Sequence, residues 1–223
     1  MPPTNLAAQL AGVFAPISTP FDENEEVDYA ALQFNMAFYA SSGLRGYLAL
    51  GSNGENRSLS EDEKRRVLAS IIKHKGPEQV VMAGATYDAQ RETERFLERA
   101  AGLGADFGLV LPPGYFRKQM TEEVLYRYYS TLAERSRIPI LLYNAPGFCG
   151  VTITPALAAR LAVHPKIVGM KELEIAGGRG QQFSCAVSIA ADISRDVAER
   201  KGISRLQPVQ NGRAVLDDFA GGG

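Results

Sequence analysis

The chain has little of what marks several large protein classes. It has no tryptophan, and its only cysteines are Cys149 and Cys185 in 223 residues. Two cysteines without a C-x-x-C spacing make neither a disulfide framework nor a zinc site. The only histidines, His74 and His164, lie far apart and each sits beside a predicted helix end. Histidine there is more commonly a cap or a surface residue than a ligand, so no metal is expected. Charge of one sign is also missing: 24 Lys and Arg stand against 25 Asp and Glu. Nothing in that balance would draw nucleic acid or an anionic membrane. No stretch is long and apolar enough to span a bilayer. The start, Met-Pro-Pro-Thr-Asn-Leu, lacks the basic region and apolar run of a signal peptide. A cytoplasmic protein is expected, with a mitochondrial location left open.

What is present is an alternation. Short all-apolar runs at Val13–Ile17, Gly46–Leu50, Val80–Ala83, Phe107–Leu111, Ile138–Leu142 and Ile167–Met170 read as strands. Between them lie amphipathic segments with helix signals. Asp28 caps a helix reaching about Ser41, with Leu32, Met36 and Tyr39 on one face. Ser60 and Glu63 form a capping box for Glu61–Lys73. A charged helix runs from about Ala89 to Ala101 and is closed by Gly102 and Gly104. Thr121 caps a helix to about Arg135 with Glu122 and Glu123 in its first turn. Thr154-Pro155 opens a short helix to about Ala162.

Apolar strands separated by amphipathic helices predict a parallel sheet buried on both faces. Strand starts recur roughly every thirty residues, the spacing of the eightfold α/β barrel, which averages about 31 residues per strand–helix unit. The competing doubly wound sheet often carries a glycine-rich phosphate loop after its first strand. Ser18-Thr19-Pro20-Phe21 stands there instead. The predicted fold is therefore an α/β, TIM (β/α)8-type barrel, with six units readable.

Active sites in this fold lie at the C-terminal strand ends. The residues just past the predicted strands include Thr19, Ser52, Asn53, Glu55, Thr86, Tyr115, Tyr143 and Lys171. This set holds hydroxyls, phenols and one lysine, with Glu55 and Glu172 as its carboxylates. Glycosidase chemistry, which needs two facing carboxylates, does not fit. Taken alone, a lysine after a strand commonly points into water. In apolar surroundings its charged form is disfavoured, and the neutral amine is a nucleophile that forms Schiff bases with carbonyls.

Five stretches in order carry a resemblance: Ala15-Pro16-Ile17-Ser18-Thr19-Pro20-Phe21, Gly51-Ser52-Asn53-Gly54-Glu55, Pro112-Pro113-Gly114-Tyr115, Tyr143-Asn144-Ala145-Pro146-Gly147 and Gly169-Met170-Lys171-Glu172. Over about residues 12–172 the chain resembles the dihydrodipicolinate synthase / N-acetylneuraminate lyase family of Schiff-base aldolases. The resemblance implies a barrel that is usually tetrameric, a homo-oligomer of two or four copies here, and a chemistry needing no cofactor beyond a covalent imine between substrate and Lys171. It implies Lys171 as the nucleophile toward pyruvate or another small 2-oxo acid, and Tyr143 as the proton shuttle. Ser52 and Asn53, with Gly51 and Thr19, would hold the 2-oxo acid carboxylate, Ser52 also extending the proton relay. Tyr115 would reach into a neighbouring subunit's site. Synthases of the family carry an arginine two residues past the proline of the Tyr-Asn motif, where this chain has Phe148. The Ser-Asn pair is similar to aldolases acting on 4-hydroxy-2-oxoglutarate or 2-keto-3-deoxy sugar acids. The expected reaction is cleavage of such an acid to pyruvate, or a related 2-oxo acid, and an aldehyde. Dihydrodipicolinate-type condensation is the alternative.

After Glu172 the pattern departs from the family. Residues 173–223 form an atypical segment, as a frameshift, a retained intron or a splice variant would produce. Gly177-Gly178-Arg179-Gly180 reads as loop, Cys185–Ile189 as a weak strand, Ile193–Arg200 as a short helix, Leu206–Val209 as a poor strand, and Gly221–Gly223 as a flexible end. A barrel short of two strands leaves open edges. Two readings therefore stand: a working lyase whose tail completes the sheet, or a non-catalytic variant that keeps the site residues.

Overall fold

The computed structural model describes residues 6–175 and 183–189, with side chains described up to Glu172. A short helix α1 (Leu6–Leu10) precedes β1 (Phe14–Pro16), α2 (Tyr29–Ala40), β2 (Gly46–Ala49), α3 (Glu61–His74), β3 (Val80–Ala85) and α4 (Gln90–Leu103). Then come β4 (Phe107–Val110), α5 (Glu122–Arg135), β5 (Ile140–Asn144), α6 (Pro146–Cys149), α7 (Pro155–Leu161), β6 (Ile167–Ile175) and β7 (Phe183–Ile189). The sheet order is β1-β2-β3-β4-β5-β6-β7. Every pairing from β1 to β6 is parallel between neighbours in sequence. Six parallel strands with their helices make the larger part of a TIM barrel, as predicted.

The predicted helix signals are used in the folded chain. The Asp28 carboxylate accepts from the backbone N–H of Ala30 and Ala31, each at 2.9 Å. Ser60 and Glu63 complete the capping box of α3. Thr121 and Thr154 cap α5 and α7 by accepting from Val124 and Leu157. Gly104 ends α4 at φ +99°, in the left-handed region that glycine enters without steric cost. Each such cap contributes about 1 kcal/mol. The larger contribution is burial: β2, β3, β4 and β5 are buried throughout. Leu32 and Met36 of α2, Leu68 and Ile71 of α3, Leu97 of α4 and Leu132 of α5 close over them. Truncating Leu132, which is fully buried, to alanine is expected to cost about 2–5 kcal/mol.

Three of the strands β1 to β6 differ from the sequence reading by two residues or more at one or both ends. β5 begins at Ile140 rather than Ile138 and takes in Tyr143 and Asn144. Pro139 has no N–H to give a ladder, and Ile138 is held in a tight turn by the Ser136 hydroxyl, which donates to its carbonyl at 2.7 Å. β3 runs on to Ala85 because Gly84 lets the chain after β2 come close: a Cβ there would stand 2.4 Å from the Leu50 carbonyl oxygen. β6 does not end at Met170 but continues to Ile175, so Lys171 sits inside a nine-residue strand.

The cause of that extension is β7. It pairs antiparallel with β6, from Gly169 opposite Ile189 to Ile175 opposite Phe183. Seven residues separate Ile175 from Phe183, fewer than the dozen or more that a parallel crossover needs. The weak strand predicted at Cys185–Ile189 is thus present, longer, and opposite in direction to the barrel pattern. The predicted loop at 177–180, the helix at 193–200, the strand at 206–209 and the end at 221–223 lie outside the described residues. Among the described residues, no helix is long and apolar enough to cross a membrane.

Candidate active site

Parallel strands bring all their C-terminal ends to one edge, and that edge carries the predicted site residues. Its centre is the β5–β6 pairing. Tyr143 is directly opposite Lys171, and Asn144 opposite Glu172. Side chains alternate along a strand, so Tyr143 and Lys171 share one face while Asn144 and Glu172 share the other. The Lys171 Nζ lies over the Tyr143 ring, 4.4 Å from its centroid. Tyr143 is 4% exposed and Lys171 half-buried. A lysine amine and a phenol are therefore in contact at the strand ends, mostly out of water.

On the opposite face the Asn144 carboxamide joins three segments. Its Oδ1 accepts from the Ile153 N–H at 2.9 Å, and its Nδ2 donates to Glu172 Oε1 at 2.8 Å and to the Ile153 carbonyl at 3.4 Å. The sequence reading left Asn144 without a role. It also missed α6, although Pro146 at the first helical position and Gly150 at φ +68° just past the end are a legible start and stop. That single turn places Phe148, about half exposed, on the surface.

The Gly51–Asn56 segment after β2 is a chain of tight turns. The Gly54 N–H donates to Gly51, Glu55 to Ser52 and Ser58 to Glu55. Leu50 at φ 56° and Glu55 at φ 48° hold left-handed conformations that cost non-glycine residues energy. The buried Asn56 donates its amide to the Leu50 carbonyl. Ser52 and Asn53 are exposed. Thr19, predicted to touch substrate, is buried, and its hydroxyl donates to the Gly54 carbonyl at 2.7 Å. Gly54 is tightly placed as well, since a Cβ would meet the Ile17 carbonyl oxygen at 2.9 Å. Thr19 and Gly54 thus shape the turn that presents Ser52 and Asn53.

Tyr115 stands 78% exposed, edge-on to Phe116 with ring centroids 4.8 Å apart. Its loop is held by Asp88, just past β3, whose Oδ1 accepts from the N–H of Gly114 at 2.8 Å and of Tyr115 at 2.9 Å. Arg57 approaches the other oxygen of Asp88 at 3.8 Å. A cavity of about 420 Å³ opens nearby, between Gln90, Pro113, Phe116, Met120 and Tyr128. Lys171 and Tyr143 do not line it; its walls are the loops after β3 and β4, Gln90 at the start of α4, and Val124, Arg127, Tyr128 and Thr131 of α5.

The histidines and Cys149 have local partners. His74 Nδ1 meets the Ser70 carbonyl at 2.8 Å in the last turn of α3, and His164 Nδ1 meets the Lys166 N–H at 3.1 Å. The Cys149 thiol is buried, which pushes its pKa up, and it contacts the Ala145 and Val151 carbonyls. Among the described residues, no group of three His, Cys, Asp or Glu converges as a metal site would require.

With this geometry in hand, the chain can be set beside known proteins. A 4-hydroxy-tetrahydrodipicolinate synthase of Methanosphaerula palustris is 37% identical over 183 residues, covering 81% of this chain and 61% of that protein. A probable mitochondrial 4-hydroxy-2-oxoglutarate aldolase of Emericella nidulans is 34% identical over 166 residues, covering 72% of this chain and 53% of that protein. The crystal structure of the chloride-inhibited dihydrodipicolinate synthase from Acinetobacter baumannii, complexed with pyruvate, superposes with a TM-score of 0.69 at 34% identity. It covers 72% of this chain and 54% of that one. The chain thus spans less than two thirds of the length of these relatives. The model of the dihydrodipicolinate synthetase family matches residues 9–181. With six parallel strands in barrel order and a lysine–tyrosine pair at their ends, the chain belongs to the dihydrodipicolinate synthetase family.

Proposed function

We propose that this site is that of a class I aldolase, which cleaves a 4-hydroxy-2-oxo acid or a 2-keto-3-deoxy sugar acid to pyruvate, or a related 2-oxo acid, and an aldehyde. The observation that carries the reading is the contact of the Lys171 amine with the Tyr143 ring at 4.4 Å, set by the paired register of β5 and β6. In this mechanism the neutral Lys171 amine adds to the ketone carbon of the substrate, and the carbinolamine loses water to give a protonated imine. Tyr143 carries the proton to the departing hydroxyl and then takes one from the substrate's 4-hydroxyl. The bond between carbons 3 and 4 breaks, its electron pair passes into the imine to form an enamine, and the aldehyde leaves. Protonation at carbon 3 and hydrolysis return the 2-oxo acid and the free amine. The proposed reaction runs through the imine at Lys171 and uses no metal or organic cofactor.

Ser52 and Asn53, with the backbone amides of the Gly51–Asn56 turn, are assigned to the 2-oxo acid carboxylate, since hydroxyls and amide N–H groups in a tight turn bind oxyanions well. Thr19 acts on substrate through Gly54, the carbonyl its hydroxyl holds. Tyr115, exposed on a pinned loop, is assigned to a neighbouring copy's site in a homo-oligomer of two or four chains.

Phe148 favours cleavage over dihydrodipicolinate-type condensation, because an aromatic ring offers no charge to a second carboxylate. The name of the Methanosphaerula relative favours the second reading. Turnover of 4-hydroxy-2-oxoglutarate and of 2-keto-3-deoxygluconate, set against condensation of pyruvate with aspartate semialdehyde, separates the two. Release of a 2-oxo acid and an aldehyde is expected. Condensation without any cleavage would overturn the aldolase reading.

A further inference from the structure

The Tyr143–Lys171 contact depends on strand register, and the β5–β6 register contains an irregularity. Ile140 pairs with Ile167, but Leu141 pairs with Gly169, so Val168 is an extra residue on β6. A bulge of this kind re-aims the side chains that follow it. A one-residue slip of β6 against β5 would send Lys171 to the opposite face and bring Glu172 or Met170 opposite Tyr143. Ladder bonds between backbones do not resist such a slip, because every residue offers the same donor and acceptor. The residues here require a side-chain device that recognises one register.

We propose that Asn144 is a positioning residue that locks this register, and that Glu172 is its counterpart. Asn144 and Glu172 are the next pair after Tyr143 and Lys171. The orientation of the buried Asn144 amide is set from outside the pair: the Ile153 N–H donates to its Oδ1 at 2.9 Å. Its Nδ2 therefore faces β6 and donates to Glu172 Oε1 at 2.8 Å. A hydrogen bond from an amide to a carboxylate is stronger than one between two neutral groups when the carboxylate is charged, and this one is partly buried. In the slipped register the amide would meet Lys171 or Leu173, neither of which accepts a hydrogen bond from Nδ2. The clamp thus sits on the outer face and fixes the geometry of the reactive pair on the inner face. This inference rests on the aldolase reading only for its catalytic consequence.

The test exploits the direction of the hydrogen bond. Asn144→Asp keeps the acceptor for Ile153 but turns a carboxylate toward Glu172. Asn144→Asp combined with Glu172→Gln restores one donor and one acceptor, reversed, with the original net charge. Two readouts are taken on the folded full chain: the rate of borohydride-trapped adduct formation with pyruvate, and the pH midpoint of Lys171 acetylation by acetic anhydride, read by peptide mass. The single variant is expected to slow trapping at least about tenfold, to leave half-saturation by pyruvate within about twofold, and to shift the acetylation midpoint. The double variant should restore both rate and midpoint. An unchanged midpoint in Asn144→Asp, or no recovery in the double variant, would overturn the clamp. If the parent chain gives no pyruvate adduct while the midpoint shifts and recovers, the clamp stands and the aldolase reading fails.

Discussion

The two parts of the rim are built in opposite ways. The β5–β6 pair is a side-chain site: Tyr143 and Lys171 meet inside the sheet, largely out of water, held by strand register. The β2–α3 turn is a backbone site: Ser52 and Asn53 stand in solvent, and what is fixed beneath them is main chain, through Thr19, Gly54, Asn56 and two left-handed residues. The difference teaches a division of labour. Bond-making groups need fixed mutual geometry and little water, because misplacement and solvation both raise a barrier. Carboxylate-binding groups need a rigid array of donors and tolerate solvent. Changes at the first site should act on turnover, and changes at the second on substrate affinity.

The largest effect is expected from Lys171→Ala, which should abolish turnover and adduct formation while leaving the circular dichroism spectrum unchanged; residual turnover would remove Lys171 from the chemistry. Tyr143→Phe should come next, with kcat down about 10²- to 10⁴-fold, the range for loss of a general acid–base group. Its KM should stay within a few-fold, and an effect on KM alone would break the contrast. Thr19→Val should raise KM roughly tenfold with kcat little changed, by freeing the Gly54 carbonyl, and should cost about 1–3 kcal/mol of stability measured by urea unfolding. If it lowered kcat as deeply as Tyr143→Phe, the turn would belong to the reaction centre.

The smallest effect concerns a region outside both sites. Glu61 sits at the start of α3. Burial works to raise its pKa, but hydrogen bonds from Lys64 and Tyr87 and the charge of Arg99 outweigh it and hold the carboxyl below the ordinary glutamate value of 4.5. A depressed folded-state pKa contributes stability above the unfolded value that is lost as pH falls through the folded one. The Tm should therefore drop below about pH 4.5, by a few degrees at most for so exposed a group. Glu61→Gln should flatten that part of the curve without touching adduct formation.

The fold's legibility in the sequence divides along the same physical lines. Units with local signals were readable: the Asp28, Ser60, Thr121 and Thr154 caps all hold in the folded chain. Strand ends were less so, because a strand stops where its neighbour stops. β5 moved two residues because of Pro139, and β6 lengthened because β7 lies beside it. The antiparallel direction of β7 was hidden for the same reason, although the short link from Ile175 to Phe183 carried it in principle. Lys171 and Tyr143 could be picked out because strand ends collect chemistry in this fold, but their contact is a property of register. Asn144 went unread because a single polar residue in an apolar strand gives no sign of which distant carboxylate it meets. Thr19 was expected at the substrate, and the partner its sequence position could not show is the Gly54 carbonyl, to which its hydroxyl donates.

The proposed chemistry turns on one nucleophile. Incubation of the full chain with pyruvate and sodium borohydride, followed by peptide mass mapping, tests it most directly. A single reduced pyruvate adduct on the peptide carrying Lys171, absent without pyruvate and absent in Lys171→Ala, is the predicted result. Soluble, folded protein with no adduct, or an adduct on another lysine, would contradict it.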